Sequence, residues 1–225
     1  MRRIIALLLA LSLLLITEQT TAEKKHDLAT TKLIGRLAEG IKKIKGNNFF
    51  VCGDHLSEQE ASEHAIKTAL VVVTHAQRYN VNVWGMAAIA AHESGFDYCA
   101  LGPNPRKFLL DKELIKRQTR SLSYPREDLL SALKTKIVEK RFGHTGVDIG
   151  LCQVLSRFYD NDYSLDYMMT LAGSADICAQ EMQQRQIKNK TSAPWLFWRG
   201  YKATWYADKI KRWARLLGAN KNERL

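Results

Sequence analysis

Apolar residues that return every three or four positions along most of the chain confine it to a helical fold, because that period places them on one helix face and cannot be served by a pleated strand. The clearest case follows Ser57, where Ser57 to Glu60 forms a capping-box pattern and Ala61, Ala65, Ile66, Ala69, Leu70, Val73 and Ala76 trace one face. Val71 to Val73 favours a strand locally, but the helical flanks on both sides outweigh it. Leu28, Leu33, Ile34, Leu37, Ala38, Ile41 and Ile44 show the same spacing, with Gly35 and Gly40 as interruptions. Trp84 to Ser94 reads as an alanine-rich helix stopped by Gly95. Further helices are expected within 106–122, over 129–142, from Tyr167 to Gln186 and from Trp195 to Leu217. The glycines at 143, 146 and 150 mark a connection or short strands. No internal repeat or sustained heptad is present. The expected fold class is mainly α, with a small strand or irregular lobe beside it.

The first residues have a different character. Met1, Arg2 and Arg3 precede a mostly apolar run from Ile4 to Ile16, and Thr20-Thr21-Ala22 offers small residues for cleavage. A run this short falls below the roughly 20 residues of an ordinary membrane-spanning helix. Residues 1–22 are therefore expected to be a signal peptide, the product to be periplasmic or secreted, and no stable transmembrane segment to remain. The net charge of +11 favours anionic polymers or surfaces. Export argues against a specific nucleic-acid partner.

An oxidising compartment also bears on the cysteines at 52, 99, 152 and 178, whose wide spacing lacks the close pairs of a zinc site. Two disulfides allow three pairings. Cys52 with Cys99 and Cys152 with Cys178 is the favoured one, because each bond would join segments that are neighbours along the chain. Free buried thiols are the competing reading.

The candidate for chemistry is Glu93, near the expected end of the alanine-rich helix and beside a glycine turn. A carboxyl group held there and facing a cleft is suited to general-acid work, although a lone helical Glu is more often a solvated charge. His92-Glu93 begins like a zincin motif, but Phe96 stands where the second histidine is needed. His64, His75 and His92 read more economically as core or surface histidines. No serine-hydrolase elbow occurs, and the cysteines show no His-based nucleophile arrangement. Trp195, Trp198, Tyr201, Trp205, Tyr206 and Trp213, interleaved with lysines and arginines, suit stacking on sugars or, more simply, a buried aromatic helix face.

Two phrases in order, Ala88-Ile89-Ala90 with Glu93-Ser94-Gly95-Phe96 and then Asp148-Ile149-Gly150-Leu151-Cys152-Gln153-Val154, resemble soluble lytic transglycosylases of the lysozyme-like superfamily, especially small forms associated with envelope-spanning machinery. The later Leu171-Ala172-Gly173-Ser174-Ala175 resembles a small-residue helix of that family. The resemblance implies a lysozyme-like transglycosylase domain over 81–217. Before it comes a helical extension over 23–80, after it a short tail over 218–225, and within it an atypical insertion near 100–145. It also implies that Glu93 is the catalytic acid/base and Ser94 its helper, with Gly150, Leu151 and Gln153 lining the cleft. Tyr201 takes the active-site tyrosine role, in a phrase where Lys202 replaces the family's Asn, and Trp198 and Tyr206 are the alternatives to it. Leu155 likewise replaces a frequent Asn.

The activity implied is cleavage of peptidoglycan strands with formation of a 1,6-anhydromuramoyl end. Peptidoglycan is the expected partner, together with an envelope-spanning secretion or conjugation complex, and no cofactor or metal is called for. A lysozyme-like hydrolase, with Asp148 activating water, is the nearest alternative. A noncatalytic wall-binding or secretion-scaffold protein is the alternative from another class.

Overall fold

The computed structural model describes residues 27–46, 49–101, 122–123, 127, 148–155, 163–199 and 202–223. The expected leader, nearly all of the expected insertion with its helices, and Tyr201 lie outside the described residues. What is described is mainly α-helical. None of its helices is long and apolar enough to cross a membrane.

Helix α1 covers residues 27–45 without a break at Gly35 or Gly40. Gly40 is needed there, because a Cβ would run into the backbone of Leu217. Arg36 on the same helix bonds Glu223 at 3.1 Å, so the two ends of the described chain are tied together. A two-residue hairpin follows, β1 (Phe50–Val51) with β2 (Asp54–His55), paired Val51 to Asp54. Its turn residues Cys52 and Gly53 both have positive φ, as a primed hairpin turn requires.

Helix α2 (Glu58–Arg78) opens with the expected capping box, Ser57 accepting from the Glu60 amide and the Glu60 carboxylate accepting from the Ser57 amide. Its buried stripe differs from the expected one. Thr68 and Val72 are buried, whereas Ile66 and Leu70 are about half exposed at 55% and 49%. The alanines at 61, 65, 69 and 76 keep the inner face flat enough for close helix packing.

Helix α3 (Val83–Glu93), capped by Asn82, is the axis of the core: every residue from Trp84 to Ala91 is buried. It lies between α2 and the last helix. A helix enclosed on all sides must be apolar all round, which the Trp-Gly-Met-Ala-Ala-Ile-Ala-Ala run provides. Gly85 admits the indole of Trp195, whose ring atoms occupy the space a Cβ would take.

The two C-terminal helices expected from the sequence are each interrupted. Thr170 ends a short helix α4 (Leu165–Met168) and caps α5 (Leu171–Lys188), accepting from the Gly173 amide. A 3-10 turn (Pro194–Phe197) is separated from α6 (Thr204–Leu216) by six residues. Pro194 starts the turn, and the Ala203 amide returns to the Leu196 carbonyl at 2.7 Å, closing a loop where a continuous helix was expected.

The small sheet runs β4 (Leu122–Ser123), β3 (Ala100–Leu101), β5 (Asp148–Ile149) and β6 (Val154–Leu155) in spatial order, all antiparallel. Disulfides Cys52–Cys99 and Cys152–Cys178, the favoured pairing, staple the hairpin turn to the segment after α3 and the β5–β6 loop to α5.

Candidate active site

Glu93 is the last residue of α3, and Ser94, Gly95 and Phe96 form the turn that ends it. Gly95 and Phe96 both take positive φ, and the Phe96 ring is fully buried. A bulky residue in this region is strained, and burial of the ring helps to offset the cost. The helix axis is therefore anchored on both sides of the carboxyl group. Its side chain retains 10% exposure.

Ser94 ties this turn to the β5–β6 loop. Its hydroxyl donates to the Leu151 carbonyl at 2.7 Å and lies 3.0 Å from the Ala90 carbonyl. Leu151 is itself fully buried, and its amide donates to Ser174 Oγ on α5 at 2.7 Å. Gly150 has φ +78, and a Cβ there would strike the same Ser174 hydroxyl. Gln153, also at positive φ, donates from Nε2 to the carbonyls of Ala100 at 2.8 Å and Gly150 at 2.9 Å. Its Oε1 is buried and has no hydrogen-bond partner among the described residues. The loop residues assigned to substrate binding thus sit directly against the Glu93 turn. Leu151 turns its side chain into the core, and Gly150 faces α5, because the chain needs both to seat the loop. Among the loop's proposed contacts, Gln153 alone keeps a side-chain polar atom unengaged.

Two donors converge on Glu93 Oε1 from the other side. Tyr206, in the first turn of α6, donates its phenol proton at 2.6 Å. Arg199 Nη2 lies 3.3 Å away, and its guanidinium stands 5.3 Å from the Tyr206 ring centre. The loop that carries Arg199 is held by buried Trp195 and Trp198. Arg185 stacks 5.1 Å from the Trp198 ring and donates to the Phe197 carbonyl. Tyr206 occupies the buried stripe of α6 with Ala207, Ile210 and Ala214. Among the described residues the tyrosine that meets Glu93 is Tyr206, one of the two alternatives to Tyr201, which itself lies outside them. The sequence signal for it is its place in that stripe, which becomes visible once the helix is started at Thr204. Arg199 carried no sequence signal, because its position depends on the loop between the 3-10 turn and α6.

Burial, followed by the charge of Glu93 and the hydrogen bond to it, pushes the Tyr206 phenol far above its ordinary range. It therefore stays a donor at any physiological pH. Burial also lowers His92, whose ring lies 5.5 Å from that of Tyr206; Glu93 opposes this shift, while Lys209 and Arg199 add to it. The lowering favours the neutral imidazole, which adds no further cation beside Arg199 at the bond between Tyr206 and Glu93.

His75 and His64, the other two histidines considered above, pack away from Glu93. His75 pairs with buried Asp176 at 3.1 Å, and His64 packs edge-on to Phe49 and stacks with Tyr98. Cys52, Asp97 and Cys99 form the one grouping of metal-ligand type found among the described residues. Its sulfurs are joined to each other, and Asp97 Oδ1 accepts from the amides of Cys52 and Cys99 at 3.1 and 2.9 Å. The group is accounted for as a cross-link with a backbone brace.

No protein-family model, curated protein or solved structure matches this chain.

Proposed function

We propose that this protein cleaves peptidoglycan glycan strands by lytic transglycosylation, with Glu93 as acid and base. The observation that carries the reading is the setting of Glu93. It is a partly exposed carboxyl group at the end of a buried helix, oriented by the Tyr206 phenol at 2.6 Å and braced by Ser94 against the Gly150–Gln153 loop. That setting brings together, from distant parts of the chain, the two phrases on which the family resemblance rests.

In the proposed reaction Glu93 gives its proton to the oxygen bridging N-acetylmuramic acid and N-acetylglucosamine as the bond from muramoyl C1 breaks. The muramoyl C6 hydroxyl oxygen bonds to C1, and its proton passes to the Glu93 carboxylate, which restores the acid. The substrate supplies the nucleophile, so no second carboxylate is required. Tyr206 holds the carboxyl group in one orientation through both proton transfers. Gln153 carries a buried amide oxygen suited to accept from an acetamido N–H if the loop opens to substrate.

The charge of +11 suits an anionic wall polymer, and the leader pattern suits an exported enzyme that an envelope-spanning complex positions. Mass analysis of purified peptidoglycan digested by the protein tests the reading. Anhydromuramoyl ends support it; reducing muramic ends identify a hydrolase, and wall binding without cleavage identifies a scaffold.

A further inference from the structure

The reaction above assigns no role to Arg199, yet Arg199 holds an ion pair with the proposed acid. Its side chain is 43% exposed, while that of Glu93 is 10% exposed, so the cation lies on the solvent side of the pair. Its backbone is anchored by buried Trp198 and by the contacts of Arg185. A guanidinium presents five donors in a planar fork, and one contact to a single carboxylate oxygen engages only part of it. An exposed arginine on an anchored backbone, beside the reacting group, is built to meet a second anion.

We infer that Arg199 is a specificity-determining residue that binds a carboxylate on the glycan beside the scissile bond, namely the free lactyl carboxylate of the muramoyl unit. The inference rests on the transglycosylase reading. Glu93 addresses the oxygen on muramoyl C1, and the lactyl group is carried by the same sugar ring. A cation touching Glu93 is therefore within one sugar of that group. Where a stem peptide is attached, the lactyl carboxyl is an amide with one uncharged acceptor oxygen, so the fork loses its charged, two-oxygen partner. The preferred substrate is then a strand stripped of stem peptides, and the class of reaction that must supply it is hydrolysis of the lactyl amide bond. On binding, Arg199 exchanges its contact with Glu93 for one with the substrate, leaving the acid to Tyr206 and the bridging oxygen.

The test uses the full mature chain and one preparation of glycan strands, with lactyl carboxyls left free or converted to methylamides. The wild type is expected to favour the free carboxyls by about tenfold in kcat/KM, the size of one charge-assisted hydrogen bond. Arg199→Gln should bring that ratio to about one, and Arg199→Lys should retain part of it, since lysine offers charge without the fork. A wild-type ratio near one overturns the inference, as does a preference that Arg199→Gln leaves intact. Equilibrium binding of the same strands to Glu93→Gln, with and without Arg199→Gln, reads the preference without turnover. Absence of cleavage with a retained, Arg199-dependent binding preference would sink the catalytic reading alone. A binding preference that does not depend on Arg199 would sink the present one.

Discussion

Replacing Tyr206 by phenylalanine removes one oxygen and leaves the ring. In the structure that oxygen donates to Glu93 Oε1 at 2.6 Å from a fully buried side chain. A hydrogen bond to a charged group is worth about 1.5–3 kcal/mol, and each 1.36 kcal/mol is a factor of ten in rate. If Tyr206 orients the acid in the transition state, Tyr206→Phe should lower kcat by about 10- to 150-fold with little change in KM. The ring keeps its places beside His92 and under Arg199, but the lost bond is also a contact of the folded state, so the unfolding free energy should fall by about 1–3 kcal/mol while the fold is kept. The assay is the initial rate of soluble fragment release from purified peptidoglycan, with circular dichroism as the control for folding. Activity within about twofold of wild type, less than half a kcal/mol, would refute the positioning role.

Ser94→Ala should cost about 1 kcal/mol of stability, because the Leu151 carbonyl loses its donor, and should reduce cleavage less than Tyr206→Phe does; chemical denaturation and the same rate assay check both. Replacing Cys152 and Cys178 by serine opens a cross-link spanning 26 positions and should lower the unfolding free energy by about 3 kcal/mol, read from urea midpoints. Burial, with the charge of Lys45 adding to it, pushes the His64 imidazole down to about 4. The unfolded chain, with histidine near 6.5, takes up the proton first. Stability is therefore fully present above about pH 6.5 and declines as pH falls towards about 4, and His64→Gln should flatten the midpoint temperature across that window.

The helical class and the start of α2 were readable because they depend on local chemistry. A capping box and a three-to-four-residue period act within one turn of chain, and both operate at Ser57 and Ala61. Helix α3 was readable for a related reason, its alanine run ending at a glycine that supplies positive φ. The cysteine pairing followed from short separations in the chain, and the structure forms the same two bonds.

The exposed Ile66 and Leu70 were placed on the buried face because adjacent turns of α2 carry so many apolar residues that the stripe has no sharp edge. The breaks at Thr170 and after Phe197 were missed because the apolar period continues across them. Only the Thr170 side-chain cap and the return bond from Ala203 to Leu196 reveal the turns. That second break had the larger consequence, since it sets Arg199 before the start of α6 and Tyr206 in its first turn, and both reach Glu93. Leu151 and Gly150 were read as cleft contacts; the structure shows how their backbone and shape seat the loop against Ser94 and Ser174. Proximity to Glu93 was legible there; how each loop residue is seated depends on long-range packing that no local pattern records.

The most direct measurement is mass analysis of peptidoglycan digested side by side with the chain lacking residues 1–22 and with its Glu93→Gln form. The account predicts 1,6-anhydromuramoyl ends from the first and essentially none from a correctly folded second. Equal yields of those ends from both proteins would contradict it.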